Sequence, residues 1–436
     1  MIGGVQNIGK IPELQRRILF TFGMLAVYRV GAHIATPGID PQVIRQFFDS
    51  ASGTVFGLFN LFSGGALEQL SIFALGIMPY ISASIIFQLL TVVVPALEQL
   101  QKEGEQGRKR ITQWTRYATI VLALFQSLLL AFALENGQFG QGAVVAPGWG
   151  FRLMCMITLS SGTAFIMWLG EQVTERGIGN GISLVIFSSI VVSIPAAFGK
   201  LMELIRTDQF TLIGTLFLLA FMVLVVGAVV FVERGQRRIP IQHAKRVVGR
   251  RVTQGGMSYF PLKVNTSGVI PPIFASSILM LPLTAGQFTN SPWIARITQD
   301  YLSYGGLWYT VLYVSLILFF AFFYTAILIN PVDVSENIKK FGGYIPGIRP
   351  GKKTAEYIDR ILSRLTLIGA LYVAGVCVLP VLLLSRVGVP FYFGGTALLI
   401  VVGVALDLIG QIEAHLVSRQ YEGFVQGART RARLGR

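Results

Sequence analysis

Two cysteines and three histidines among 436 residues leave few groups for redox, metal or acid–base chemistry. Cys155 and Cys377 sit inside apolar runs without any ligand spacing, which argues against a disulfide framework and a cysteine metal site. His33, His243 and His415 fall in three separate membrane-edge or loop settings and suggest no shared active centre. Charge is scarce too, at 13% of residues against 53% hydrophobic, a balance suited to a bilayer. Acids are the scarcer sign, 21 against 36 Lys and Arg. Inside the apolar runs Asp407 stands as the one carboxylate, and a proton relay would need acid, His or Lys partners in other spans. Packing or hydrogen bonding is the expected role. Gly-rich TERGIGNG, Thr174 to Gly181, lacks a Gly-Lys-Ser/Thr ending and a preceding soluble strand, so it reads as a tight turn between spans rather than a phosphate loop. No small-residue cleavage pattern closes the first apolar run, which therefore reads as a retained span behind an amphipathic lead-in. Neither a cofactor nor a metal is expected.

What the sequence does have is apolar length. A helix needs about 20 apolar residues to cross the hydrocarbon core. Ten runs meet this, near 18–36, 70–95, 115–134, 151–170, 182–199, 212–232, 269–288, 307–330, 366–384 and 393–412. Lys and Arg concentrate on one set of alternating loops, which predicts that this set and both termini face the cytoplasm. Arg29 and Arg152 lie near span ends, where they are expected to snorkel to the interface.

Two stretches echo one another. GIMPYISAS begins at Gly76 and GVIPPIFAS begins at Gly268, so Gly76, Pro79 and Ile81 match Gly268, Pro271 and Ile273. The phrase lies in the second span of each five, the pattern of an inverted repeat, and its Gly and Pro are expected to loosen one helix in each half. The expected halves are residues 1–205 and 206–436. Between spans 1 and 2, GTVFGLFNLFSGGALEQL is too short to cross and reads as a re-entrant half-helix, about 56–70. On the basic side, residues 233–265 hold eight Lys/Arg and no acid between Arg234 and Asn265. That cluster needs an anionic neighbour, be it lipid, ribosomal RNA or an acidic protein surface, and its alternation in RRIPIQ and MSYFPLKVN suggests short strands. The next basic loop, 331–365, contains YIPGIRPGKKT, a rigid turn presenting Arg349 and Lys352-Lys353.

The stretches FNLFSGGALEQLSIFALGIMPYISASI, WLGEQVTERGIGNGIS, FVERGQRRIP, PLKVNTSGVIPPIFASSI, FFYTAILINP, YIPGIRPGKKT and PFYFGGTALLIVV, in that order, resemble the SecY family of bacterial protein-conducting channel subunits. The resemblance implies an all-α polytopic membrane protein with ten transmembrane helices in two inverted five-helix halves, around a central hourglass pore with a re-entrant plug helix. It implies a pore ring of Ile77, Ile81, Ile182, Ile186, Ile273 and Ile400, and a plug containing Asn60, Leu61, Phe62, Ser63, Gly64, Gly65, Ala66 and Leu67. It further implies a lateral gate, with Gln126 and Asn265 as candidate polar residues, and cytoplasmic docking through Arg250, Arg251 and Arg349. The implied partners are the SecE and SecG subunits, the SecA ATPase motor, the ribosome, signal peptides, nascent polypeptides and membrane lipids. Such a chain is not an enzyme, since its energy source lies outside it. The rival reading, a secondary transporter of a small solute, shares inverted repeats and broken helices but ordinarily needs polar midplane residues.

Overall fold

The computed structural model describes residues 12–50, 60, 63–140, 142–207, 212–243, 246–248, 251–253, 256–288, 306–387 and 395–434. A helix stands at each of the ten expected spans: α1 (Pro12–Gly31), α3 (Met78–Val93), α5 (Glu105–Glu135), α6 (Trp149–Arg176), α7 (Gly181–Arg206), α8 (Leu212–Glu233), α9 (Ile270–Phe288), α10 (Leu307–Leu328), α12 (Lys352–Val387) and α13 (Gly395–Leu434). Shorter helices α2 (Pro41–Ser50), α4 (Pro95–Lys102) and α11 (Pro331–Lys340) connect them. Among the described residues, six helices are long and apolar enough to cross a membrane. A seventh span results if α3 and α4, bent by 98° at their break, are taken together. Val94 at that break is extended because Pro95 follows it, and Pro95 then starts α4. Many apolar side chains of α8 stand exposed, Phe217 and Val223 at 74% each, as expected where lipid is the solvent.

Two compact units emerge: Met1–Leu201 with Ile400–Arg436, and Met202–Leu399. From Ile400 onward α13 belongs with the first unit, whereas the expected halves keep it with the second. The reason is local. Gln411 on α13 accepts a hydrogen bond from Gly179 N at 2.9 Å, and Leu416 packs with Leu14 and Ile178.

In the second unit, β1 (Gln236–His243) pairs antiparallel with β4 (Met257–Lys263) and with β5 (Gly343–Tyr344). The alternation seen in the basic loop thus becomes strand. β2 (Arg246–Val248) and β3 (Arg251–Thr253) make a separate hairpin. Ile239 and Leu262 turn inward onto Ile358, Ile361 and Leu362 of α12, and these apolar contacts anchor the sheet to the helix end.

The echoed phrase behaves differently from the expectation. Neither proline interrupts a helix. Gly76 takes φ +56° and Gly268 φ +65°, the left-handed region, and each helix begins two residues later, α3 at Met78 and α9 at Ile270. Pro79 and Pro271 therefore occupy the first turn, where a missing N–H costs nothing and the fixed φ favours helix. The expected span from residue 70 begins instead at Met78, and residues 64–70 and 72–77 are turns.

The repeat extends to its supports. A Cβ at Gly162 of α6 would lie 1.9 Å from the carbonyl oxygen of Ile72, and a Cβ at Gly369 of α12 would lie 2.7 Å from that of Val264. Ile72 and Val264 stand four residues before Gly76 and Gly268. Each half therefore has a glycine on a long helix that admits the segment leading into its Gly-Pro start.

Candidate functional site: the plug turn and isoleucine collar

The segment leading into α3 is held by its own polar groups. Asn60 donates to Glu68 Oε2 at 2.9 Å while its Oδ1 accepts from Glu68 N at 3.1 Å, and Gly65 N donates to Asn60 O. Ser63 Oγ accepts from Leu67 N at 3.2 Å. Gly64 and Gly65 both have positive φ, and so does Leu70 at +40°. Asn60 and Ser63 are helical, and these left-handed residues turn the chain from 64 to 70 into a run of tight turns. Leu61 and Phe62 of that prediction lie outside the described residues. Thr36 N donates to Leu70 O and Ile72 N to Ile34 O, so the chain leaving α1 forms a short ladder with the end of the turn. Phe73 then stacks on Tyr28 and on Phe165 at 5.8 and 6.0 Å between ring centroids.

Three residues of the expected ring meet the turn inside the first unit. Ser63, Gly76, Ile77, Ile81 and Ile186 line one small cleft. Ile77, Ile81, Ile186 and Ile400 are buried, and Ile182 is half-buried. Ile273 is half-buried near the start of α9 in the second unit. Apart from Ser63, the side chains that line this cleft are apolar, and narrow apolar constrictions dewet.

The TERGIGNG turn sets where α7 begins, and with it Ile182 and Ile186. Gly181 N donates to Thr174 Oγ1, Ile178 N to Thr21 Oγ1 and Gly179 N to Gln411 Oε1, at 2.8, 3.1 and 2.9 Å. Asn180 Oδ1 accepts from Ile182 N and Ser183 N, the pattern of a helix cap. Side chains of α1, α6 and α13 thus fix a loop that the sequence reading treats as a plain turn. The missed signal was its concentration of glycines: a Cβ at Gly177 or Gly181 would stand 2.6 Å from Val173 O or 1.9 Å from Gly170 O.

The charges in and beside the spans have specific partners. Arg29 donates from Nη1 to Gly64 O at 2.7 Å. Arg152 donates to Glu135 at 2.7 Å and lies against the rings of Phe132 and Trp149. Arg116 pairs with Glu171 at 2.6 Å, joining α5 to α6, a link that loop-by-loop charge counting passes over. Asp407 stands exposed on α13.

Of the two gate candidates, Gln126 is half-buried on α5. Asn265 is 3% exposed in the second unit, donating to Glu233 Oε1 at 2.7 Å and Gly268 O at 3.1 Å while accepting from Ser267 Oγ. It ties the end of α8 to the glycine that starts α9. Arg349 is exposed at a tip held by Thr354 Oγ1 donating to Arg349 O at 2.9 Å and Ser335 Oγ donating to Gly351 O at 2.7 Å. Arg250 lies outside the described residues, and Arg251 opens β3.

The SecY family model matches residues 71–409. A protein translocase subunit SecY of Escherichia coli K12 is 50% identical over 424 residues, covering 96% of each chain. A solved SecY channel, described as having a plug domain that stabilises its closed state and maintains a membrane seal, is 19% identical with a TM-score of 0.66 and covers 95% and 97% of the two chains. Sec61 in a canine ribosome–channel complex from the endoplasmic reticulum is 18% identical with a TM-score of 0.63, over 95% and 97%. These findings give no support to the small-solute transporter reading. The chain belongs to the SecY family and is a multi-pass membrane protein with the fold of the protein-conducting channels.

Proposed function

We propose that this chain conducts unfolded polypeptide across the bacterial cytoplasmic membrane and releases apolar segments sideways into lipid. Family membership supports the conducting role. The observation that supports the detailed reading is the cleft that Ser63 of the turn shares with Ile77, Ile81 and Ile186, three of the six proposed ring residues. Ile182, Ile273 and Ile400 complete the proposed ring. A ring without polar partners suits a passage that every kind of side chain must traverse. A lateral exit is favoured by about 0.8 kcal/mol for each CH₂ transferred to lipid. Gln126 and Asn265 are the proposed polar residues of that exit.

The basic loops face the cytoplasm in this reading, together with both termini. Arg250, Arg251 and Arg349 would meet the ribosome and the SecA motor there, and the ribosome-bound state described for Sec61 supports such a partner. SecE and SecG are the proposed companion subunits, and the chain itself performs no catalysis. The test is reconstitution of the chain with companion subunits and motor in vesicles. A signal-bearing precursor should become protected from added protease; a precursor that stays fully digestible, with the complex intact, would refute the reading.

A further inference from the structure

The turn at residues 63–70 is gripped from α1 through two adjacent main-chain carbonyls. Tyr28, 2% exposed, donates from its hydroxyl to Ser63 O at 3.1 Å. Arg29, the next residue, donates to Gly64 O at 2.7 Å. The Tyr28 hydroxyl also lies 2.7 Å from Ser189 Oγ on α7, and a Cβ at Gly64 would stand 2.9 Å from the Cα of Ser189. Helix α1, the turn and helix α7 therefore converge at one point. Ser189 is three residues beyond collar residue Ile186 and so shares its side of α7.

The hydrogens at this point can be counted. Each hydroxyl has one proton to give, and Ser189 Oγ is also 3.0 Å from Val185 O. With the turn seated, Tyr28 donates to Ser63 O and Ser189 donates to Tyr28. With the turn gone, Tyr28 can donate to Ser189 and Ser189 to Val185 O, so neither buried donor is stranded. Arg29 has no such fallback among its recorded partners. The arginine supplies the holding strength, and the hydroxyl pair makes release from α7 inexpensive because buried donors stay satisfied.

We propose that Tyr28, Arg29 and Ser189 form a releasable latch on the plug, holding it while the channel rests and letting go when α7 shifts at the collar. These are positioning residues for gating, and the proposal rests on reading residues 60–70 as the plug. Vesicles containing the chain and its companion subunits test it through resting chloride flux and through hydrogen exchange at the amides of Gly65, Leu67 and Ser71. Loss of a charge-assisted bond in Arg29→Met should raise the flux by about tenfold or more. Tyr28→Phe should raise it less, and Arg29→Lys should restore part of the seal. Exchange at the three amides should quicken while α6 stays protected. If deletion of residues 60–70 raises the flux but neither substitution alters flux or exchange, the latch is overturned and the plug survives. If the deletion leaves the flux unchanged, the plug reading fails and the latch with it. Should Arg29→Met lose α6 protection through misfolding, Tyr28→Phe, which removes a single oxygen, decides between these outcomes.

Discussion

The two copies of the Gly-Pro phrase start their helices alike and differ in what comes before. Both have a left-handed glycine, a proline in the first helical turn, and a glycine on a later long helix pressed against the approaching segment. Ahead of the first copy lies the turn at 63–70, tied to α1 and resting on α7. Ahead of the second lies a β-sheet, joined to the helix start through Asn265 and Glu233. What is duplicated is the device that begins a helix two residues after a left-handed glycine. In the function proposed above, what is unique to each half would serve a separate purpose: closure in the first, presentation of a basic loop in the second.

The largest expected effect falls on the shared support. Gly162→Val places a Cβ 1.9 Å from the Ile72 carbonyl, which is main chain and cannot step aside. We expect about 4 kcal/mol or more of destabilisation and little folded protein in detergent extracts. Gly369→Val, at 2.7 Å, should be damaging to a smaller degree. Equal, normal yields for both would break the proposed correspondence.

Next comes the isoleucine from each copy. Replacing Ile81 and Ile273 together with Asn should raise resting ion conductance across planar bilayers, with each single change giving less. A leak no greater than that of the parent would remove these residues from the seal.

The polar junction of the second copy should yield a moderate effect. Asn265→Ala strips Glu233 and Gly268 of a donor and should cost about 1–3 kcal/mol, read as a fall of a few degrees in melting temperature. An unchanged melting temperature would mean that this junction does not hold the start of α9.

Smallest in stability is Arg349→Glu, expected within about 0.5 kcal/mol of the parent because the side chain is exposed. Its effect should appear only in motor-driven export, which should slow. Normal export would take Arg349 out of the docking surface.

Much of this comparison was legible in the sequence. Apolar length located the ten helices that stand at the expected spans, and period-2 alternation located β1 and β4, because burial in lipid or against α12 demands those patterns directly. The paired isoleucines and the short segment before Met78 were visible too. Other features were hidden because they depend on close approach. Proline within an apolar run looks like a break in a helix until the preceding glycine's φ shows it to be a beginning. Arg29 near a span end looks free to reach water, yet Gly64 O captures it, and no rule of spacing connects residues 29 and 64. Gly162 and Gly369 resemble any small residue of a membrane helix, since their function is to leave room for another segment's carbonyl.

The most direct measurement is photocrosslinking of a stalled precursor. With a photoreactive residue installed at position 81 or 273, a polypeptide arrested in transit should be captured at both, while the same residue at lipid-facing position 217 should capture none. Capture at 217 together with silence at 81 and 273 would contradict passage of the chain through the isoleucine ring.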